Sequence, residues 1–167
     1  MAKEIYTRII GTGSYLPPKI IKNSHFLDYK FYDPATNQVF DKSNEEIIQK
    51  FNTITNIEER RYVTDDQVTS DIAALAIKDA CQSAGITLES LDFIIIGHNF
   101  GDIYKGNVRS DILPGLANKV KMKLNITNPT SICHDIISGC PSWTQGMIVA
   151  DAYIKSGFMK RGVVVGA

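Results

Sequence analysis

Short runs of continuous or β-branched apolar residues alternate along this chain with longer stretches whose apolar residues recur every three or four positions. The first pattern predicts strands and the second helices. Strands are expected at residues 5–10, 60–63, 91–97, 130–137 and 162–167. Helices are expected at 44–56, 69–84, 113–124 and from about 141 to Gly157. Ser43 followed by Glu46 is a capping-box signal, and the helix after it would turn Ile47, Ile48, Phe51 and Ile54 inward until Asn56 ends it. Thr69-Ser70-Asp71 caps the clearest helix, with Ile72, Leu75, Ala76, Ala80 and Ala84 along one side and Gly85 as its C-cap. Cys81 falls beside Ile77 there, the place of a buried structural thiol. Residues 91–97 are apolar throughout, as in strands covered by helices on both faces. The long strand-to-strand connections have the length that parallel pairing requires.

Punctuation fills the rest. Residues 17–42 carry Pro17, Pro18, Asn23, Asp33, Pro34 and Asn37, with a short helix after Asn23-Ser24 to Tyr29 and a turn at residues 33–37. Gly11 and Gly13 end the first strand. They fall short of a phosphate loop, since no third glycine follows and Pro17-Pro18 forbids the helix such a loop needs. Backbone crowding is the alternative reason for them. His25 reads as a surface histidine. The polar stretch from His98 to Ile112 follows the carboxyl end of a parallel strand, where α/β folds place ligand contacts.

Chemistry concentrates at residues 130–157. This stretch reads as strand, tight turn and helix, with Cys140 at the turn. Trp143, Met147, Ala150 and Ile154 share one helical face. Pro141 suits the first helical position, and Gly139 allows a sharp reversal. A sulfur at the mouth of a helix meets free N–H groups and the positive end of the dipole, which favour thiolate over thiol. Against this stands the packed thiol, the commoner fate of an intracellular cysteine. Cys133 and His134 with Cys140 fit zinc spacing poorly, being adjacent ligands without a second pair.

Composition changes this picture little. A hydrophobic share of 44% and a charged share of 22% are those of a soluble globular domain. Eighteen basic residues balance eighteen acidic ones, so no net field points to nucleic acid or an anionic membrane. No apolar run has the length to span a bilayer, and no signal-peptide core opens the chain. Three cysteines, Cys81, Cys133 and Cys140, without paired spacing argue against a disulfide framework and for a cytoplasmic setting. The apolar run 162–167 reads as a buried strand at which the sequence stops, so the chain is taken as part of a longer protein.

Taken together, residues 9–17, 53–61, Ala84-Gly85-Ile86 before the strand 92–96, the Pro114 helix, Cys140 on its turn, and Ser156-Gly157 followed by 163–167 resemble the type III ketoacyl-acyl-carrier-protein synthases of the thiolase superfamily. The resemblance spans essentially the whole chain. It implies an α/β, thiolase-like fold: a layered mixed sheet with helices on both faces, residues 1–167 forming the amino-terminal half of a duplicated fold whose carboxyl-terminal half is absent. It also implies that Cys140 accepts an acyl group from acyl-CoA or an acyl-carrier protein, its own N–H forming half of an oxyanion hole. Decarboxylative condensation with malonyl-carrier protein would follow, in fatty acid biosynthesis and without a cofactor. The His and Asn of that second step match no position here, and neither His98 nor His134 replaces them, so these residues alone would not complete the reaction. A homodimer is implied, and an isolated half would also self-associate through an exposed apolar face.

Departures from the family bear on substrate. Trp143 stands where a smaller aromatic is usual and changes volume near the acyl chain. Leu113, in a region that reaches the dimer partner, is either a wall of the acyl pocket or a hydrophobic staple. Glu46 and Ile54 fall where acetyl-CoA-primed members use a Trp and an Arg to grip the adenine, which makes a carrier-protein donor credible. Related synthases of secondary metabolism (resorcinol, polyene or head-to-head condensation) share the motifs, and a non-catalytic half-fold module is the reading from another class.

Overall fold

The computed structural model describes residues 4–167. These cluster into two compact units, one of residues 4–16 and 65–167 and one of residues 17–64.

In the smaller unit, β1 (Lys19–Lys22) pairs antiparallel with β2 (Glu59–Tyr62), and α1 (Asn44–Thr55) lies between them in sequence. Ser43 Oγ accepts the Glu46 N–H at 3.3 Å, and Asn56 ends α1 in the left-handed conformation at φ 54°. The expected inward face is only partly realised. Ile47 is buried and Ile48 half-buried, whereas Phe51 and Ile54 are 57% and 69% exposed. Good helical periodicity thus produced the helix without a core to receive its whole apolar side. The short helix after Lys22 stops at Phe26, not Tyr29, as a single 3-10 turn. His25 stays on the surface against Phe26 and Tyr29.

The larger unit is built on a parallel sheet of β3 (Phe93–His98), β4 (Ile132–Ile137) and β5 (Gly162–Gly166), in the order β4-β3-β5. On one face lie α2 (Thr69–Ala84) and α3 (Leu116–Lys123), and on the other α4 (Ser142–Lys155). The period-2 alternation of β3 feeds both layers. Ile94 and Ile96 join Ile77, Leu91 and Val120 under α2 and α3, while Phe93 and Ile95 join Ala150 and Met159 under α4. Each residue of the run 93–96 in β3 is at most 1% exposed, which explains why that run has no polar position. The layered α/β class expected from the sequence, a sheet with helices on both faces, is the class observed.

Three expectations need correction. Residues 5–10 form no strand: they are separated from the free edge of β5 by a cleft of about 400 Å³ lined by residues of both, so their β-branched run has no ladder to join. The most buried face of α2 is Ala73, Ala74, Ile77 and Cys81. Ile72, Leu75, Ala76, Ala80 and Ala84 are only half-buried, and Ile72, Ala76 and Ala80 line that cleft. Segment 11–13 lies on this second side. A Cβ on Gly13 would stand 2.2 Å from the Ala80 nitrogen and one on Gly11 2.7 Å from Ala84 Cβ, so crowding against α2 accounts for both glycines. Finally, α3 begins at Leu116 rather than at Leu113-Pro114, because its cap arrives from β4.

Candidate active site

The turn after β4 carries the first candidate residue, Cys140. Gly139 sits at φ 70°, a conformation that a side chain resists, and the chain reverses there into α4. Ser142 donates its backbone N–H to Gly139 O at 3.0 Å and its Oγ–H to the same oxygen at 2.6 Å. Pro141 therefore stands one place earlier than expected, as the cap residue of α4 in helical conformation, and no side chain caps that helix. Gly97 of β3 holds the helix mouth down on the sheet: a Cβ there would lie 2.7 Å from Ser142 Oγ and 2.8 Å from the Trp143 nitrogen. Cys140, between Gly139 and Pro141, is the one exposed cysteine. Among the described residues its backbone N–H meets no acceptor.

The other two cysteines behave differently. Burial pushes both the Cys81 and the Cys133 thiols up; at Cys133 the Lys121 ammonium opposes this and the Asp135 carboxylate adds to it. Alternation along β4 sends Cys133 toward α2 and α3, whereas His134 turns toward α4 and meets Tyr153 Oη at 2.9 Å. These neighbours in sequence thus face opposite layers. Among the described residues no group of three His, Cys, Asp or Glu could hold a metal ion.

The remaining sequence candidates do not gather at one point. Trp143, 45% exposed, leans over Gly166 and lines the cleft beside β5. Leu113 is 84% exposed and lines neither this cleft nor the second cavity. It therefore makes no hydrophobic staple. Glu46 and Ile54 are exposed on α1 of the smaller unit.

The stretch 98–112, expected to hold ligand contacts, lines much of a second cavity, of about 320 Å³, at the carboxyl ends of β3 and β4, together with Asp135, which sequence reasoning missed. Asp135 accepts the Leu116 and Ala117 N–H groups at 2.5 and 2.7 Å, filling the orphan donors of the first turn of α3. His98 is 4% exposed, and Asn99 Oδ1 lies 3.3 Å from where a Gly139 Cβ would be. The loop between β3 and α3 is fastened twice. Asp102 accepts Ser70 N–H and Oγ–H at 2.8 and 2.7 Å at the start of α2, and Lys119 reaches Asp111 at 2.5 Å and Asp102 at 3.6 Å. The hydrogen bond from Lys119 holds the Asp111 carboxyl below its ordinary range. For Lys119 itself burial pulls down, but the two carboxylates outweigh it and the net shift is upward. Beside the polar stretch 98–112, an acidic residue in an apolar strand, Asp135, was a second sequence signal for this corner.

Comparison with known proteins places the geometry. A β-ketoacyl-[acyl-carrier-protein] synthase III of Xanthomonas euvesicatoria is 35% identical over all 167 residues, which cover 44% of its length. The chain thus spans less than half the length of the curated relatives it matches. The crystal structure of 3-oxoacyl-[acyl-carrier-protein] synthase III from Aquifex aeolicus superposes with a TM-score of 0.74 at 29% identity, over 96% of this chain and 44% of that one. A Xanthomonas campestris OleA structure, 17% identical with a TM-score of 0.67 over 94% of this chain and 41% of its own, shares the fold. No protein-family model matches the chain. No helix among the described residues is long and apolar enough to cross a membrane.

Proposed function

We propose, from the premise that this chain corresponds in sequence and fold to the amino-terminal half of a β-ketoacyl-acyl-carrier-protein synthase III, that Cys140 is the nucleophile of a thioester acyltransferase. The observation that carries the reading is the exposed Cys140 with an unclaimed backbone N–H at the mouth of the uncapped α4. The Cys140 sulfur adds to the carbonyl carbon of an acyl thioester. The oxygen that gains charge is met by the Cys140 N–H, in the role that an oxyanion hole serves. The bond from that carbon to the donor sulfur then breaks, the carrier thiolate leaves and takes up a proton, and the acyl group stays on Cys140.

In the whole protein this acyl-enzyme is condensed with malonyl-acyl-carrier protein in fatty acid biosynthesis, in a cytoplasmic homodimer that uses no cofactor. The His and Asn of that second step match no residue of these 167. The chain alone is therefore assigned the acylation half-reaction, without condensation. Glu46 and Ile54, in place of a stacking ring and a cation, favour an acyl-carrier protein over CoA as donor. The open position of Leu113 suits a residue that meets the partner subunit.

The test follows thiol release from the donor. Acyl-carrier protein loaded with a short acyl chain and the matching acyl-CoA are compared by the rate at which each releases its thiol. Release from the carrier protein should be faster, and Cys140→Ala should abolish both. Release that survives Cys140→Ala refutes the assignment.

A further inference from the structure

Gly139 O accepts two hydrogen bonds from one residue, the Ser142 N–H at 3.0 Å and the Ser142 Oγ–H at 2.6 Å. The first closes the turn and needs no particular side chain. The second needs a hydroxyl at residue 142 that reaches back to the chain before α4. Ser142 is 4% exposed, and its Oγ has room because residue 97 is the one glycine of β3: a Cβ there would stand 2.7 Å from that oxygen. A glycine in the strand and a serine at the head of the helix thus fit as a pair.

The Gly139 carbonyl and the Cys140 N–H are the two ends of one peptide unit. That unit is trans, the one cis bond among the described residues being Leu113-Pro114. In a trans peptide the C=O and the N–H point in opposite directions. Holding the oxygen toward the first residue of α4 therefore turns the Cys140 N–H away from that residue, and there it meets no acceptor among the described residues. Gly139, at φ 70°, resists rotation of this plane less than any other residue would. A second tether on its oxygen counters that freedom. A carbonyl that accepts hydrogen bonds also polarises its own peptide unit, which strengthens the N–H as a donor.

We infer that Ser142 is a positioning residue of the acylation step. Its hydroxyl fixes the Gly139–Cys140 peptide plane so that the Cys140 N–H faces the oxygen that gains charge when a thioester is attacked. The inference rests on the reading of Cys140 as the acyl acceptor. Ser142 acts through that N–H and not on the acyl group itself.

Two reactions of the same sulfur separate this role from a merely structural one. Acylation by hexanoyl-acyl-carrier protein passes through a tetrahedral intermediate whose oxygen needs the N–H. Alkylation by iodoacetamide forms the sulfur–carbon bond as iodide leaves, and no oxyanion develops. Both rates are read at Cys140 by peptide mapping, in the native chain, Ser142→Ala and Ser142→Gly, under conditions where unfolding curves show each chain folded. The two variants should acylate about tenfold slower, short of the roughly hundredfold or more that a removed oxyanion donor costs, and should alkylate at the native rate. Acylation at the native rate in either variant overturns the inference and leaves Cys140 standing as nucleophile. So does a folded variant in which both reactions slow by the same factor, the result if the hydroxyl only shapes the mouth of α4. If the native chain is not acylated at Cys140, both readings fall.

Discussion

Asp135 of β4 accepts the backbone N–H of Leu116 at 2.5 Å, so a carboxylate from one strand decides where the neighbouring helix begins. The residue does two jobs with one side chain, since the same carboxylate forms a wall of the cavity beside His98. Replacing it with Ala should destabilise the protein by about 1–2 kcal/mol, the range for a lost helix cap. Asp135→Asn, which keeps one acceptor oxygen, should lose less. Denaturant unfolding of the two variants measures the difference.

The loop fastening gives a pH signature. Asp111 has a folded value held below the ordinary 3.8 by Lys119, so its contribution is fully present above that unfolded value. It is lost as pH falls through the lower folded value. The stability gap between native protein and Asp111→Asn should therefore be constant from neutral pH down to about 5 and close progressively below 4. A gap that persists at pH 2 would show that the pair is not what holds the loop.

Lys119→Met removes the cation beside Asp102, whose side chain is 1% exposed. Ser70 continues to donate to that carboxylate, but an unpaired buried charge remains. The loss should be about 3 kcal/mol, the lower end for breaking a buried pair. Lys119→Met with Asp102→Asn should recover part of it, which a double-mutant cycle reads directly.

Gly97→Ala tests the seating of α4. Its new methyl would stand 2.7 Å from Ser142 Oγ and 2.8 Å from backbone nitrogen. Backbone cannot yield as a flexible side chain does, so the helix mouth must shift, at about 1–3 kcal/mol. Acylation of Cys140 should slow out of proportion to that loss, whereas Gly85→Asn, at a left-handed position with open space around it, should leave acylation unchanged.

How much of this was legible in the sequence depended on how local each cause is. Ser43, Asn56 and Gly85 act on backbone groups within a few residues, and their caps appeared where the pattern put them. The apolar run 93–96 needs only burial on both faces, and it obtained that. Residues 5–10 have strand composition, yet a strand requires a partner, and the 400 Å³ cleft before β5 supplies none. The start of α3 was misplaced because its cap, Asp135, lies about twenty residues downstream. Cys140 could be located from Gly139, Pro141 and the helix after them. Ser142 could not be singled out, since the reach of its hydroxyl to Gly139 O depends on the room that Gly97 leaves between β3 and α4, and no spacing along the chain encodes it.

The most direct measurement is the mass of the intact 167-residue chain after incubation with an acyl thioester, followed by mapping of the modified peptide. One acyl group per chain is expected, carried by Cys140, while the buried Cys81 and the half-buried Cys133, both with thiols pushed up, remain free. Acyl groups spread equally over the three cysteines, or a chain that stays unmodified, would contradict it.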